Sequence, residues 1–445
     1  MNDRTLRLAL IPLGIGVNMA IGTMVYMLKL PIYLDAIGTI IVTLLAGLRP
    51  GILTAVLTQI IAGYTINPVL PYFIPTGVAI AVYVHIAARW GAFRTLGGTV
   101  VAGLGLGIVA GLVSAPIIVY VFGGVTATGR SVLTAYLLSA GERVLKAVLL
   151  SGAAAEPLDK TLQCILVVWL LNAVPQSLIR RFYNGNFSET ASPRPVVFPL
   201  SFDHRPVVQG IHPVVRGVAT LFGIAGTLMA KEPVFPLFFW LGILVPLCLF
   251  TGLARKHIRM VGGVVLPLAI VLVAVWGVLV GAPPGAPPGS DPDGGVRYAA
   301  LIALKLTVLA GLFHLCFMSI PQSELLSTFW HWGIRGDYLI VAIGAFTIWP
   351  EFKLRAEQIL TARFARGLMP DRRLFTRFFQ LPYMLRPLLV WSLRAAVQRS
   401  EMWGQRHLLD RLGEMRHTYQ GAWISNTTLF LLSIAWVGLQ WIKNP

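Results

Sequence analysis

Charged residues are scarce in this sequence, and their scarcity excludes an ordinary soluble domain. Asp, Glu, Lys and Arg together make up 12% of the 445 residues, whereas hydrophobic residues make up 56%. A typical soluble protein has about 25% charged residues. Mean hydropathy is +0.74. The composition therefore predicts an all-α integral membrane protein.

Sequence motifs for catalysis and metal binding are also missing. No G-x-x-x-x-G-K-[ST] phosphate-binding loop, no H-E-x-x-H and no C-x-x-C occurs. Cys164, Cys248 and Cys316 lie in separate apolar segments, without zinc or redox spacing. Few acidic residues lie in apolar segments, so no carboxylate chain indicates a proton relay. We expect no enzyme activity and no cofactor in this chain.

Basic residues, in contrast, are abundant, and the net charge is +18. Lys and Arg cluster beside apolar segments, as the retention of positive loops in the cytoplasm predicts. We therefore expect a multi-pass protein of the cell (inner) membrane, with a cytoplasmic N-terminus. The same pattern predicts contacts with membrane lipid and no nucleic-acid partner.

Apolar segments long enough to cross a bilayer predict two membrane modules. We predict a first module at 1–182, a polar, proline-rich linker at 183–211, membrane helices at 212–318, a cytoplasmic region at 319–420 and a final span at 421–445. The predicted spans are 7–27, 36–48, 51–64, 72–88, 98–122, 161–179, 213–230, 234–252, 258–281, 297–318 and 424–442.

Three details of this map can be compared with a structure. The short segments 36–48 and 51–64 predict a tight hairpin that turns at Arg49-Pro50-Gly51. Residues 123–160 are expected to form a long outer loop. The apolar stretch 338–349 is too short for a span, so we interpret it as part of a cytoplasmic or interfacial helix.

The predicted cytoplasmic region at 319–420, which is rich in arginine, contains an ordered series of motifs. They are Pro321, Glu324, Leu325 and Leu326, then Ala365-Arg366-Gly367, then Gln405-Arg406-His407. This series resembles the transmembrane T component of energy-coupling factor (ECF) transporters. The resemblance implies coupling helices whose triplet arginines contact two cytoplasmic ABC ATPase subunits, which carry ATP and Mg. Alternatively, these arginines mark cytoplasmic loops or bind anionic lipid.

The first module resembles the substrate-binding S component of the same transporters, in the riboflavin-type branch. The resemblance is carried by LPIYLDAIGT at 30–39 and by PLDK at 157–160. It implies a natural fusion of a six-helix S module with a T module of about five spans plus coupling helices. Such a fusion would import a small vitamin- or nucleobase-like solute.

Six polar residues of the first module are candidates for contact with that solute: Tyr33, Asp35, Tyr64, Asn67, Asn172 and Gln176. Asp35 follows a proline-containing loop and opens a predicted helix, so it could equally be a helix N-cap. Asn172 and Gln176 lie within a predicted span, where an interhelical hydrogen bond would also explain an amide.

Small residues four apart let membrane helices approach closely. Gly16 and Ala20 have this spacing on the first span, and Gly103, Gly107 and Gly111 have it on the fifth. The resemblance implies that the first span packs on the coupling helices, so we assign Gly16 and Ala20 to that contact. Packing inside the first module is the alternative, and we favour it for the fifth span.

Two other classes of function stay open at this point. A membrane scaffold or sensor could use the arginine-rich region at 319–420 to bind lipid or a signalling protein. A self-contained secondary carrier would transport without ATPase partners, but the sequence shows no inverted repeat of the kind such carriers contain.

Overall fold

The computed structural model describes residues 3–27, 34–126, 130–175, 213–285, 292–319, 336–366, 383 and 385–398. All regular structure in these ranges is helical, and they contain no strand. Four of the helices are long and apolar enough to cross a membrane: Leu70–Arg89, Leu96–Phe122, Ala254–Val280 and Asp293–Cys316. These four candidate transmembrane helices indicate a multi-pass helical membrane protein. The predicted linker and the final span lie outside the described residues.

Seven helices form the described part of the first module. They are α1 (Asp3–Met27), α2 (Ile37–Ala46), α3 (Leu48–Thr65), α4 (Ile74–Arg89), α5 (Leu96–Phe122), α6 (Arg130–Ser139) and α7 (Val144–Ala173). Short 3-10 turns, Leu70–Phe73 and Ala92–Arg94, precede α4 and α5.

Five further helices and one helical segment represent the second module. They are α8 (Pro213–Met229), α9 (Val234–Phe250), α10 (Ala254–Val280), α11 (Pro292–Ser319) and α12 (Gly336–Ala365). Residues 385–398 are helical as well. Wider π-helical turns interrupt α9 at Trp240–Leu244 and α10 at Val261–Val265 and Val273–Val280.

Helix ends follow the local sequence. The Thr95 hydroxyl caps α5 by accepting a hydrogen bond from the Gly98 amide at 3.1 Å. The helix ends at Gly123, whose φ of 65° is left-handed and suits a residue without a Cβ. The turn between α2 and α3 is at Gly47, with a φ of 89°, and Arg49-Pro50-Gly51 lie inside α3. The predicted position of this turn was therefore wrong, because proline is tolerated in the first turn of a helix.

The predicted outer loop at 123–160 was also wrong. This stretch contains α6 and the first half of α7, which extends without a break through Pro157. Its charged residues looked like loop residues in the sequence, but several of them are paired inside the protein. Residues 338–349, in contrast, are part of a longer helix as predicted, the 30-residue α12.

Close packing inside the first module depends on the glycines of α5. A Cβ on Gly103 would lie 2.4 Å from the Thr161 Cα, and one on Gly107 would lie 2.2 Å from the Pro157 Cα. Both neighbours belong to α7, so α5 and α7 approach to backbone contact. The prediction that these glycines pack within the first module is confirmed.

Two apolar clusters join the first module to the second. In one, buried residues of α1 and α2 pack with α12 and with residues 385–398, including Phe352 and Leu389. In the other, the ends of α5 and α6 pack with α10 and α11 around Trp276. The two modules therefore contact each other at two separate places.

Candidate functional site

A cavity of about 270 Å³, lined by apolar and polar residues, lies between the helices of the first module. Its volume is just below the roughly 300–1,000 Å³ of pockets that hold drug-sized ligands, which suits a small solute. Its polar lining residues come from α1 to α7 and their connections: Asn18, Asp35, Thr39, Thr58, Gln59, Asn67, Thr76, Ser114, Thr126, Arg130, Glu156 and Lys160.

A buried lysine organises one side of the cavity. The Lys160 ammonium lies 2.8 Å from Asp35 Oδ1 and 3.0 Å from Asp159 Oδ2, and its side chain is only 4% exposed. Gln163 Nε2 donates to Asp159 Oδ2 at 2.8 Å. Buried charges need such pairing because they have lost their water. The loop before α2 is tied to α7 in the same way, since the Ala36 amide donates to Gln163 Oε1 at 3.2 Å.

Asp35 belongs to this network and is not a helix cap. The N-cap of α2 is Ala36, and no side chain caps that helix. The Asp35 side chain is 53% exposed and lines the cavity. Burial opposes ionisation of the carboxyl, but the charge of Lys160 and the hydrogen bonds that the carboxylate accepts together outweigh it and lower the pKa of Asp35.

Asn18 lines the cavity from the middle of α1. Its amide nitrogen donates to Thr39 Oγ1 at 2.9 Å and to Thr58 Oγ1 at 3.2 Å, and its oxygen accepts from the Gly38 amide. Gly38 must lack a side chain here, because a Cβ would lie 2.0 Å from the Gly14 carbonyl oxygen. Asn18 therefore holds α1, α2 and α3 together at the cavity wall.

A second ion pair lies where α6 meets α7. Arg130 Nη1 donates to Glu156 Oε1 at 2.9 Å, and the two side chains are 5% and 12% exposed. Arg130 Nη2 also donates to the Val148 carbonyl at 3.4 Å. Charged groups within a membrane protein are costly and mark functional sites or pathways.

Aromatic and aliphatic groups complete the wall. Phe73 and Phe122 stack with ring centroids 5.5 Å apart and an interplanar angle of 27°, and both line the cavity. Val264 and Leu268 also line it, and they belong to α10 of the second module. The cavity of the first module is thus partly closed by the second.

Hydrogen bonds fix this closure beside the cavity. Trp276 Nε1 on α10 donates to the Gly123 carbonyl at 3.1 Å. The Tyr72 hydroxyl donates to the Leu309 carbonyl on α11 at 3.3 Å. Both bonds cross from one module to the other, so movement of α10 or α11 would change the mouth of the cavity.

The predicted substrate residues are distributed unevenly. Asp35 and Asn67 line the cavity. Tyr64 is not in its lining, and Asn172 is exposed near the end of α7. Tyr33 and Gln176 lie outside the described residues.

Several residues of the cavity wall and of the hydrogen-bond network behind it were not predicted from the sequence, in particular Arg130, Glu156, Lys160 and Gln163. A signal was available for three of them. Glu156, Lys160 and Gln163 follow at intervals of four and three residues, which places them on one face of a helix. Arg130 gave no comparable signal, because its partner lies 26 residues away.

The predicted module contact at Gly16 and Ala20 lies in the first apolar cluster. A Cβ on Gly16 would lie 2.6 Å from the Phe352 ring of α12, and Phe352 is 0% exposed. Ala20 is also fully buried. The Phe352 ring meets Trp391 edge-on, with centroids 5.1 Å apart, so α1 packs on a surface formed by both described segments of 319–420.

Of the two predicted coupling triplets, the structure describes Ala365 and Arg366. Ala365 is the last residue of α12, and Arg366 follows it in an exposed turn. The Arg366 amide donates to the Arg363 carbonyl at 3.1 Å. Gly367 and the triplet Gln405, Arg406 and His407 lie outside the described residues.

Comparisons of the chain with protein-family models, curated proteins and solved structures gave no match. Its function is therefore inferred from its residues and their geometry, together with the motif resemblance described above.

Proposed function

We propose that this chain is the membrane subunit of an ATP-driven importer of the ECF type. It is a natural fusion in which the first module binds a small vitamin- or nucleobase-like solute. The second module couples that module to two ABC ATPase subunits, which bind ATP and Mg. In this proposal the protein lies in the cell (inner) membrane with its N-terminus in the cytoplasm.

The observation that carries the proposal is the double role of α1. Gly16 contacts Phe352 on α12, the helix that Arg366 directly follows, and Asn18 lines the cavity. Residues two apart on an α-helix project roughly 200° apart. One face of α1 therefore packs on the proposed coupling helix, while the opposite face forms part of the binding site.

The geometry supports a mechanical link between ATPase and solute. A displacement of α12 would be transmitted to α1 through the close contact at Gly16, and then to Asn18 and its partners on α2 and α3. The contact leaves no room for α12 to slide independently, because protein interiors are packed as densely as organic crystals. ATP hydrolysis on the partners would thus alter the cavity.

The wall formed by α10 gives the second module direct access to the site. Val264 and Leu268 close the cavity, and the Trp276–Gly123 hydrogen bond keeps α10 in place. Separating α10 from the ends of α4 and α5 would open it. In this proposal the solute enters or leaves by that separation.

Co-purification tests the proposal directly. The tagged full-length chain, extracted from its native membrane in mild detergent, should bring down two ABC ATPase chains. Arg366→Glu should abolish this association, because it replaces a donor of charge-assisted hydrogen bonds with an acceptor. Lys353→Glu is the matched control: Lys353 is also exposed on α12 but lies about 20 Å away along the helix axis.

Each alternative function predicts a different result. A scaffold or sensor would bring down no ATPase. A self-contained carrier would mediate uptake into liposomes without ATP or partners. Equal loss of ATPases in Arg366→Glu and Lys353→Glu would show that Arg366 has no specific role in the contact.

A further inference from the structure

The charges in the cavity wall restrict what the site can bind. Its two cationic side chains are already satisfied by the protein: Arg130 is paired with Glu156, and Lys160 with Asp35 and Asp159. Three carboxylates therefore face two cations in this network, which leaves one net negative charge.

The carboxylates keep acceptor capacity, whereas the cations are engaged. Both side-chain contacts of Asp35, from Lys160 and Gln163, go to Oδ1, although an ionised carboxylate has about four lone-pair sites. Glu156 accepts from Arg130 through Oε1 only. The charged part of the wall thus offers hydrogen-bond acceptors to a ligand, and each of its cations is already paired with a carboxylate.

Neutral polar groups add further unused capacity. Gln59 forms no hydrogen bond within the described residues, and the Thr76 hydroxyl is buried without a partner. Asn67 accepts a bond from the Val69 amide through its oxygen, which leaves its amide nitrogen open. A buried group without a partner costs free energy, so these groups favour a ligand that pairs with them.

The stacked rings of Phe73 and Phe122 favour a flat ligand, because both line the cavity. They present an aromatic surface to the cavity, and aromatic faces prefer offset stacking or edge contacts with other rings. The volume of about 270 Å³ fits a molecule of one or two rings.

We propose that the cavity takes a planar nitrogen heterocycle, uncharged or cationic, whose N–H groups donate to the carboxylates of Asp35 and Glu156. The site discriminates against phosphorylated and carboxylated solutes, because the only cations in its described wall are already paired. This inference rests on the proposed importer function and names the class of solute that the first module accepts.

Two small aromatic probes of similar size but opposite charge test this inference. Benzamidine is a planar cation with N–H donors, and benzoate is a planar anion without them. Binding of each to the purified full-length chain in detergent is measured by isothermal titration calorimetry. We expect benzamidine to bind at least about tenfold more tightly than benzoate, equivalent to about 1.4 kcal/mol. Nicotinamide should likewise be preferred over nicotinate.

Two variants assign the preference to the cavity. Asp35→Asn removes a carboxylate but leaves Lys160 paired with Asp159, so the network keeps a partner for its buried cation. We expect Asp35→Asn to weaken the binding of benzamidine at least about tenfold and to leave the affinity for benzoate nearly unchanged. Gln59→Lys adds a cation at a side chain that makes no bond in the described structure, and it should reverse the preference toward benzoate.

The result that overturns the inference is tighter or equal binding of benzoate, or binding of neither probe, by the unmodified chain. A preference that survives both variants would place binding outside this cavity and overturn it too. These failures are distinct from failure of the importer proposal, because co-purification of ATPases does not depend on the solute.

Discussion

Gly16→Ala is the sharpest test of the contact between α1 and α12. The added methyl group would lie 2.6 Å from the Phe352 ring. Carbon atoms pack best at about 3.5–4.0 Å, so the ring would have to move by about 1 Å. Phe352 is 0% exposed and packs edge-on against Trp391, so it cannot swing into open space.

The expected size of the effect follows from two opposing contributions. Overpacking a well-packed core costs about 1–3 kcal/mol, and a clash with a confined ring belongs in the upper part of that range. Replacing glycine by alanine inside a helix returns about 0.5–1 kcal/mol. We therefore expect a net loss of about 1–2 kcal/mol in the free energy of unfolding.

Gly22→Ala is the matched control on the same helix. A Cβ on Gly22 meets no atom within 4 Å, so this variant gains helix propensity without a clash. The thermal midpoint of the full-length chain in detergent is measured by fluorescence-detected size-exclusion chromatography. Gly16→Ala should melt below the unmodified chain, and Gly22→Ala at or above it.

A double variant identifies Phe352 as the group that clashes. Phe352→Leu shortens the ring, so Gly16→Ala combined with Phe352→Leu should lose less stability than the two single changes added together. For residues in direct contact we expect an interaction energy of about 1 kcal/mol. Equal thermal midpoints for Gly16→Ala and Gly22→Ala would show that α1 does not pack on α12 as described. Additive stability losses for Gly16→Ala and Phe352→Leu would show the same.

Two further predictions concern the charged network. Lys160→Met leaves Asp35 and Asp159 without their buried cation and should lower the free energy of unfolding by about 3–5 kcal/mol. The control Lys146→Met breaks an exposed pair with Glu142 and should lower it by less than about 1 kcal/mol. Equal thermal midpoints for the two variants would contradict the buried pairing. The pairing with Lys160 helps to lower the pKa of Asp35 from its ordinary value of 3.8. The ionised Asp35 carboxylate therefore stabilises the fold fully above pH 3.8, and this stabilisation is lost as the pH falls through the lower pKa of the folded state. The stability difference between Asp35→Asn and the unmodified chain, measured as a thermal midpoint against pH, should therefore be constant from about pH 8 to pH 5 and shrink only below about pH 4; a change near pH 6 would contradict the ion pair.

Much of the fold could be predicted from hydropathy alone. The segments 213–230, 234–252, 258–281 and 297–318 correspond to α8, α9, α10 and α11 within a few residues, apart from an earlier start of α11. Local composition was sufficient there because a membrane helix must satisfy its own backbone hydrogen bonds over about 20 apolar residues.

Local patterns failed where charged residues lie inside the protein. The stretch 123–160 was expected to be an outer loop, although Arg130, Glu156 and Lys160 within it are each paired inside a helix bundle. Exposure of a charge is only the default expectation, since pairing with an opposite charge permits burial. Whether a partner is present depends on residues far away in the sequence.

The sequence by itself determined that this chain is a helical membrane protein, where its glycines permit close packing on α5, and which residues of the first module were candidate ligands. The tertiary structure alone decided that Asn18, Asp35, Arg130 and Lys160 line one cavity, and that α10 of the other module closes it. The physical reason is that periodicity reports the environment of a single helix face. Which distant side chains meet across that face is set by the packing of whole helices against one another.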